Sequence, residues 1–358
     1  MSRRLLVCGG AGFIGSNFVR HQVKAGATVL VLDKLTYAGH RANLEDVLSP
    51  RVRLVAGDIA DAAQVEALLA EFQPDAVVNF AAETHVDRSI DSPAPFLRSN
   101  VEGVFVLLEA LRRWLRLTPH PAFRLLHIST DEVYGDLPAP RQASEDSPFA
   151  PNSPYAASKA AADHLVRAWG MTYGLPVLTT HCSNNYGPYQ YPEKLIPLML
   201  LNALEARPLP VYGDGGQQRE WLHVLDHCAA LDAVLAHGRP GARYNIGAPC
   251  SHSNLEVVRT LCLTLERLRP AAHNPAMQRA GLCRYDQLIA HVQDRPGHDR
   301  RYALDSSRIR AELGWTARIA FADGLATTAA WYLEHTGWCD MVTRGRYGRE
   351  RLGLSAAI

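Results

Sequence analysis

The chain has 358 residues, of which 47% are hydrophobic and 20% are charged, a composition typical of a folded globular protein. Its 37 basic and 36 acidic residues nearly cancel, which argues against nucleic acid or an anionic membrane as a partner. The seven cysteines include no CxxC pair, so we predict neither a disulfide framework nor a metal site. No apolar run approaches the roughly 20 residues that span a bilayer. We therefore expect a cytoplasmic protein with reduced thiols.

The first half of the chain alternates short apolar runs with longer amphipathic stretches. We predict that the apolar runs are strands, at Leu5–Cys8, Thr28–Leu32, Val52–Val55, Ala76–Phe80, Arg124–Ile128 and Val177–Thr180. We predict helices where the apolar residues recur with helical periodicity, at Phe13–Ala25, Ala62–Phe72, Phe96–Leu115 and Tyr155–Trp169. This βαβα order is typical of an α/β protein with a Rossmann-type, doubly wound parallel sheet.

The alternation ends near residue 185, beyond which prolines punctuate the chain at positions 188, 192, 197, 208 and 210. Frequent prolines favour short elements, so we predict a smaller, mixed α/β C-terminal domain. The predicted division is 1–185 and 186–358, with a later segment of about 220–248 returning to the first domain. The basic tail, Arg344–Arg351, is expected to be a solvated end.

A glycine-rich turn lies between the first predicted strand and the first predicted helix. It reads Gly9-Gly10-Ala11-Gly12-Phe13-Ile14-Gly15. Glycines at such a turn let the backbone approach a pyrophosphate, and the helix N-terminus presents free N–H groups and a positive dipole end to it. Asp33 ends the second predicted strand, where a carboxylate accepts hydrogen bonds from the adenosine ribose and repels a 2′-phosphate. The first domain is therefore predicted to bind NAD and not NADP.

Two further motifs extend the predicted cofactor site. Asp58 follows the third strand, where it could contact the adenine amino group or cap the helix that begins near Ala62. Phe80-Ala81-Ala82 ends the fourth strand with small residues that let a dinucleotide lie close to the backbone. The predicted cofactor residues are Gly9, Gly12, Phe13, Ile14, Gly15, Asp33, Lys34, Leu35, Thr36, Asp58, Ile59, Phe80, Ala81 and Ala82.

Tyr155 and Lys159 place a phenol and an ammonium on one face of a predicted helix. A positive charge from Lys159 and from NAD is expected to lower the pKa of Tyr155, so that its phenolate can act as a base. YxxxK also occurs by chance in many helices. After a glycine-turn domain, and with Ser129-Thr130 at the end of a strand, it resembles the catalytic motif of the extended short-chain dehydrogenase/reductases. That resemblance implies that Tyr155 takes a proton from a sugar hydroxyl that Thr130 also binds, and that NAD accepts the hydride.

Asp131 and Glu132 follow Thr130 directly. An epimerase needs only the tyrosine, whereas a dehydratase must also remove a carbon-bound proton and expel hydroxide. Two neighbouring carboxyl groups can divide those roles if their environments separate their pKa values. The two carboxyl groups could instead cap a loop.

Several blocks are similar to those of dTDP-glucose 4,6-dehydratases within that superfamily. They are residues 82–89 (AETHVDRS), 129–135 (STDEVYG), 182–188 (CSNNYGP), 192–197 (PEKLIP), 219–221 (REW) and 294–299 (DRPGHD). The resemblance implies that Glu132 removes the C5 proton of a dTDP-glucose substrate and that Asp131, held protonated, donates to the departing 6-hydroxyl. The C-terminal domain would then bind the sugar nucleotide.

The same resemblance implies further contact residues. Ser99, Asn185, Tyr155 and Lys159 match positions that line the cofactor. The implied substrate contacts are Thr84, Thr130, Asn184, Lys194, Leu195, Pro210, Val211, Tyr212, Arg219, Asn254, Arg295 and His298. Lys194, Arg219 and Arg295 would supply the cationic donors for a diphosphate.

Family members pair the equivalents of helices Phe96–Leu115 and Tyr155–Trp169 with a second copy, which implies a homodimer. The apolar residues of these helices could instead be buried within one chain. Cys8 and His181 depart from the residues usual in the family.

Two other functions remain open from the sequence. One is an epimerase or a 4,6-dehydratase that acts on another nucleotide sugar, and the other is a non-catalytic sugar-nucleotide sensor. Retention of Tyr155, Lys159, Asp131 and Glu132 argues against the sensor.

Overall fold

The computed structural model describes residues 2–353 of the chain. In chain order its strands are β1 Arg4–Cys8, β2 Thr28–Asp33, β3 Val52–Ala56, β4 Ala76–Asn79, β5 Arg124–Thr130, β6 Val177–Cys182, β7 Asn184–Tyr186, β8 Leu209–Tyr212, β9 Gln218–His223, β10 Arg243–Ile246, β11 Ser251–Ser253 and β12 Ile289–Val292. Its α-helices are α1 Phe13–Lys24, α2 Ala62–Phe72, α3 Val86–Asp91, α4 Ala94–Leu97, α5 Gly103–Leu117, α6 Pro154–Tyr173, α7 Leu195–Leu204, α8 Val224–His237, α9 Asn254–Leu268, α10 Pro275–Arg279, α11 Ser307–Leu313, α12 Phe321–Glu334 and α13 Thr336–Thr343. A π-helical segment lies at Arg98–Glu102, and a 3₁₀ segment at Asp131–Tyr134.

A seven-stranded parallel sheet dominates the first half of the chain, in the order β3-β2-β1-β4-β5-β6-β10. Successive side chains of a strand point to opposite faces of the sheet. Leu5 and Val7 of β1 pack in a core with residues of α1 and α8, whereas Leu6 and Cys8 pack in a second core with residues of α2, α5 and α6. Both faces are thus buried under helices, and the predicted doubly wound sheet is confirmed.

The strand order reverses between β1 and β4. From β1 the chain runs outward through β2 and β3, then crosses back to β4 and continues through β5 and β6. At such a reversal the carboxyl ends of the two central strands leave a crevice that binds ligands. Cys8 and Asn79, the last residues of β1 and β4, are paired in register. The glycine turn and Phe80-Ala81-Ala82 therefore meet at the same edge.

Most of the second half forms a smaller unit with its own core. The sheets β11-β9-β7 and β12-β8 pack with α7, α9 and α12 around residues that include Leu200, Leu261 and Leu325. Two later elements lie instead on the large sheet, since β10 pairs with β6 and α8 contributes Leu231 to its core. These contacts support our proposal that residues 1–185 and a segment of about 220–248 form one domain.

The predicted helix over Phe96–Leu115 is confirmed, but its pitch is not regular throughout. The π-helical segment Arg98–Glu102 separates α4 from α5. Asn100, in this segment, is 1% exposed; its side chain accepts from the Glu83 amide at 2.8 Å and donates to Ser158 Oγ at 2.8 Å. A π segment of this kind is a local change of helical pitch, which apolar periodicity does not reveal.

The basic tail is only partly solvated: Arg344 and Glu350 are exposed, whereas other residues of the segment contact the rest of the protein. The prediction of a solvated end is therefore wrong in part. Arg346 Nη1 donates to the Thr36 carbonyl at 2.9 Å, and Tyr347 is 7% exposed beside Tyr191 and Val342. The Gly353 amide donates to Asp91 Oδ2 at 2.8 Å. The segment thus crosses from the C-terminal unit to the first domain. Within residues 2–353, no helix combines the length and the apolar character needed to cross a membrane.

We predict that Tyr347→Ala lowers the free energy of unfolding by about 3 kcal/mol, because it removes a buried ring. Urea unfolding followed by circular dichroism measures this change. Arg344→Ala, at an exposed position of the same segment, is the matched control and should change it by less than about 0.5 kcal/mol. Equal, small effects of both substitutions would mean that the tail is solvated after all.

Candidate active site

Most of the predicted site residues line one cavity at the carboxyl edge of the large sheet. All the predicted cofactor residues line it except Leu35. Thr84, Thr130, Asn184 and Lys194 of the predicted substrate set line it too, as do Asp131 and Glu132. The structure therefore brings the glycine turn, the tyrosine–lysine pair and the two carboxyl groups to one place.

Three glycines of the turn meet different constraints. Gly9 has φ +73°, and a Cβ there would lie 2.5 Å from the Ala81 amide nitrogen; a Cβ at Gly15 would lie 2.3 Å from the Gly9 carbonyl oxygen. Gly12 has room by comparison, because the nearest atom to its Cβ would be 3.4 Å away. Gly12 begins α1, which has no side-chain cap. The helix N-terminus thus faces the cavity with free N–H groups, and the residues present fit a diphosphate.

Asp33 is fixed by the backbone around it. Its Oδ2 accepts from the Ala11 amide and its Oδ1 from the Leu35 amide, both at 2.8 Å. Burial raises the pKa of Asp33, and these two hydrogen bonds oppose that shift. The carboxyl group is held beside the glycine turn, where it can accept from a ribose hydroxyl. Leu35, outside the cavity lining, contributes through this hydrogen bond.

Asp58 is not the cap of the helix that follows. Asp61 caps α2 by accepting from the Gln64 amide at 3.1 Å, so the capping alternative for Asp58 is wrong. Asp58 instead pairs with Lys34, with 2.6 Å between Nζ and Oδ2. This pair lies at the cavity, and the predicted contact of Asp58 with adenine stays a prediction.

Tyr155 and Lys159 lie on the first turns of α6, which Ser153 caps and Pro154 begins. Tyr155 is 7% exposed. Lys159 Nζ donates to the Ile128 carbonyl on β5 at 2.7 Å, which anchors α6 to the strand that carries Thr130. Burial raises the pKa of Tyr155 well above its usual value, and the negative charge of Glu132 adds to the shift, whereas a hydrogen bond with Thr130 opposes it. The charge of Lys159 alone does not produce the lowered pKa that the sequence analysis predicts.

Asp131 and Glu132 begin the 3₁₀ segment that follows β5, with Thr130 as its cap. Asp131 is 3% exposed; its Oδ1 accepts from the Thr130 hydroxyl at 3.2 Å, and its Oδ2 is buried without a hydrogen-bond partner. Burial raises the pKa of Asp131 well above its usual value, and the charges of Glu132 and Glu220 raise it further. Burial and both negative charges thus favour the protonated form of Asp131. Its Oδ2 has no partner within the protein and is available to a ligand.

Glu132 has a different environment. Burial raises the pKa of Glu132 above its usual value, and the positive charges of Arg295, Arg219 and Lys194 oppose that shift. The surroundings of Asp131 therefore favour its protonated form, as a general acid requires. The cations favour the charged form of Glu132, as a general base requires.

The three cations come from separate parts of the chain and are each held in place. Arg295 Nη1 lies 2.8 Å from Asp87 Oδ1, Arg219 Nη2 donates to the Asp299 carbonyl at 2.8 Å, and Lys194 Nζ donates to the Thr84 carbonyl at 2.9 Å. Nε of Arg295 is buried without a hydrogen-bond partner. This arrangement suits a diphosphate, which would supply acceptors for the remaining donors.

The other predicted substrate residues have mixed surroundings. Tyr212 donates its hydroxyl to Asp87 Oδ2 at 3.0 Å, and His298 Nδ1 lies 2.6 Å from Asp294 Oδ1. Val211 is buried in the core of the C-terminal unit, against which Leu195 also packs. Pro210 precedes Val211 in β8, and Asn254 begins α9. The roles of these residues in binding stay predictions.

Sequence reasoning missed several residues that line the cavity, among them Tyr37, Glu83, Gln190, Tyr191 and Glu193. Glu193 Oε2 accepts from Arg88 Nε at 2.7 Å. Arg88 and Glu193 belong to blocks that carry the family resemblance, and that resemblance is the signal by which they could have been identified. Their pairing is not visible in a sequence because 105 positions separate them.

The fold and this site define an extended short-chain dehydrogenase/reductase, with a tyrosine–lysine pair beside a glycine-turn dinucleotide site. Residues 6–328 match the family model described as GDP-mannose 4,6 dehydratase, and the chain belongs to that family.

Several dehydratases and epimerases are similar to this chain in sequence or structure. The chain is 53% identical over 354 residues to a dTDP-glucose 4,6-dehydratase of Xanthomonas campestris pv. campestris, an alignment that covers 98% of this chain and 99% of the relative. It is 47% identical to DesIV, a dTDP-glucose 4,6-dehydratase from Streptomyces venezuelae solved with NAD bound, with a TM-score of 0.84 and coverage of 95% and 99%. A UDP-glucose 4-epimerase of Thermus thermophilus is less similar, at 30% identity, a TM-score of 0.79 and coverage of 93% and 99%.

The glycine turn provides a matched pair of substitutions. We predict that Gly12→Ala folds normally but weakens NAD binding by about 10-fold or more, because its methyl group enters space reserved for the ligand. Gly15→Ala should instead lower the free energy of unfolding by about 1–3 kcal/mol, because its methyl group meets the Gly9 carbonyl. Calorimetric titration with NAD and urea unfolding separate the two effects. Normal NAD affinity in Gly12→Ala would contradict the proposed cradle.

Proposed function

We propose that the chain is an NAD-dependent hydro-lyase that converts dTDP-glucose to dTDP-4-keto-6-deoxyglucose and water. The observation that carries this proposal is the pair Asp131–Glu132 next to Tyr155: burial and negative neighbours favour the protonated form of Asp131, whereas three cations favour the charged form of Glu132. The 53% identical relative, whose alignment spans nearly both chains, is a dTDP-glucose 4,6-dehydratase and supports the same reaction. An epimerase has no step that requires an acid and a base of this kind.

The cofactor is NAD, in keeping with the DesIV structure. The glycine turn would hold its diphosphate and Asp33 its adenosine ribose, as the fit of these residues to those groups supports. When bound, NAD supplies the hydride acceptor for C4 and later the hydride donor for C6.

Tyr155 and Thr130 act at the sugar 4-hydroxyl. Thr130 lies close enough to the tyrosine to influence its pKa and would orient the hydroxyl between them. The phenolate of Tyr155 takes the hydroxyl proton as C4 is oxidised to a ketone. Because burial and Glu132 raise the pKa of Tyr155, its deprotonation depends on positive charge close to the phenol. Lys159 supplies such a charge from one helical turn away.

The carboxyl pair carries out the elimination. The 4-ketone acidifies the C5 hydrogen, and Glu132 removes that proton, leaving the electron pair of the C5–H bond in an enolate with the 4-ketone. This electron pair then forms the C5=C6 double bond. The C6–O bond breaks, and Asp131 donates its proton to the leaving oxygen, which departs as water. A proton donor is needed at this point, because hydroxide is a poor leaving group. The buried, protonated Asp131 meets that need.

The nucleotide diphosphate would lie against Lys194, Arg219 and Arg295. Their charges converge on the region of Glu132, so a diphosphate there is close to the reacting sugar. The preference for thymine is supported by the relatives and not by a contact in the cavity. A 4,6-dehydratase acting on another nucleotide sugar remains the alternative. Incubation with the dTDP-, UDP-, GDP- and CDP-sugars, with loss of water read by mass spectrometry, separates these substrates.

We predict that Asp131→Asn lowers kcat by about 100-fold or more, because the amide cannot protonate the leaving hydroxide. Glu132→Gln should lower it comparably but at an earlier step. In deuterium oxide, sugar recovered from Asp131→Asn should carry deuterium at C5, whereas sugar recovered from Glu132→Gln should not. Nuclear magnetic resonance of the recovered sugar reads this difference, and C5 exchange by Glu132→Gln would contradict the assignment of the base.

We also infer a homodimer formed through α5 and α6. Large apolar side chains are exposed on these two helices, including Phe105, Met171 and Tyr173. Rings of Phe105, Trp169 and Tyr173 contact one another edge to face across the two helices. An exposed apolar patch of this kind favours association. A cytoplasmic location is part of the same proposal, and the free cysteines of residues 2–353 support it.

We predict that Phe105→Asp converts the dimer to a monomer, because it places a charge in the apolar contact. Light scattering coupled to gel filtration measures the mass. Leu263→Asp is the matched control, since Leu263 is 60% exposed on α9, and it should leave the dimer unchanged. A monomeric parent protein would contradict the inference.

A further inference from the structure

A buried carboxylate that none of the proposed steps uses lies close to the reacting groups. Asp163 is on α6, one helical turn beyond Lys159, and is 4% exposed. Ser129 Oγ donates to Asp163 Oδ2 at 2.8 Å, and His181 Nε2 lies 3.0 Å from the same oxygen. These two partners are paired in register on β5 and β6. The carboxylate therefore ties α6 to the two strands next to it.

Asp163 is ionised although it is buried. Burial raises its pKa, but the charge and hydrogen bond of His181, together with the charge of Lys159, outweigh burial and leave the pKa of Asp163 below its usual value. The second neighbouring histidine is His127 on β5, with Nε2 3.5 Å from Asp163 Oδ1. Burial lowers the pKa of His127 to about 3, so this ring is neutral at neutral pH. A buried ionised carboxylate persists only with compensating charge and hydrogen bonds.

Lys159 has the complementary need for a negative partner. It is 4% exposed, and its ammonium donates to a neutral carbonyl, that of Ile128. Burial lowers the pKa of Lys159, whereas the charges of Asp163 and Cys182 raise it. Because burial raises the pKa of the Cys182 thiol to about 12, that thiol is neutral at neutral pH. Asp163 is then the ionised group that opposes loss of the lysine proton.

The same carboxylate also fixes the strand end that carries the reacting groups. Ser129 precedes Thr130, Asp131 and Glu132 directly, and its hydroxyl is held by Asp163. Lys159 holds the preceding residue, Ile128, through its carbonyl. Two consecutive residues of β5 are thus fixed by side chains that lie one turn apart on α6.

We propose that Asp163 is a positioning residue that keeps Lys159 protonated and holds the end of β5 in register with α6. The proposal rests on the proposed function, because Asp163 acts through Lys159 on the base Tyr155. Asp163 itself contacts neither the sugar nor the dinucleotide in this account.

The test uses the small number of lysines, since the chain has only Lys24, Lys34, Lys159 and Lys194. Protein labelled with ¹³C at the lysine ε-carbon should give one signal for each, and Lys159→Arg assigns the signal of Lys159. In the unsubstituted protein this signal should report an ammonium group at pH 7. In Asp163→Asn its midpoint should move down by about 1–3 pH units, because an opposite charge close to the ammonium has been removed.

Matched variants separate charge from packing. Asp163→Glu keeps the charge, so the titration midpoint of Lys159 should stay close to that of the unsubstituted protein. Asp163→Ser provides a second uncharged side chain if Asp163→Asn does not fold. For a folded uncharged variant, kcat should fall by about 10- to 100-fold with KM changed by less than about three-fold, because the base and not the diphosphate site is affected. The fall should be steeper at higher pH, where more of Lys159 has lost its proton.

Two results would overturn the proposal: a neutral Lys159 at pH 7 in the unsubstituted protein, or an unchanged Lys159 midpoint in the uncharged variants. Failure of the proposed function has a different signature. In that case the unsubstituted protein would not dehydrate dTDP-glucose, whereas the lysine titration would still report on Asp163.

Discussion

The contact between α6 and the carboxyl end of β5 is the constraint on which the rest of the site depends. Lys159 donates to the Ile128 carbonyl, and Asp163 accepts from the Ser129 hydroxyl. Two successive residues of one strand are thereby tied to two positions of one helix face. The base on this helix and the two carboxyl groups that follow Thr130 on this strand are positioned together, because the helix and the strand cannot shift relative to each other without breaking buried polar contacts. Buried polar contacts are costly to leave unmade.

Next to this contact, two chemically similar groups, Asp131 and Glu132, have surroundings that favour different protonation states. Asp131 lies in a dry environment with negative neighbours, which favours its neutral form, whereas Glu132 lies within the field of three cations. Those cations belong to the C-terminal unit or to the loops that lead into it, and one of them is held by Asp87 of the first domain. The same positive charge that would bind a diphosphate thus also favours a carboxylate in Glu132. Substrate binding and the preparation of the base are linked by one set of charges.

Much of the fold was predictable, because strands buried on both faces and a glycine turn have local signatures. Asp33 and Tyr155 could be found by their spacing from that turn and from Lys159. The π-helical segment Arg98–Glu102 could not, since the hydrogen bonds of Asn100 there go to residues distant in the chain. Nor could the packed tail, whose partners Thr36 and Tyr191 are far away in the chain. The upward shift of the Tyr155 pKa could not be predicted either, because burial and the nearby Glu132 are properties of the folded protein.

In the proposed mechanism, the hydride removed from C4 is the same one that is delivered to C6, and an isotope label can follow it. Incubation with dTDP-glucose carrying deuterium at C4, followed by mass spectrometry and nuclear magnetic resonance of the product, tests it. We expect loss of one water and deuterium at C6 of the same sugar. Unchanged sugar from a folded protein with bound NAD would contradict the assigned substrate, and product without deuterium at C6 would contradict the internal return of hydride.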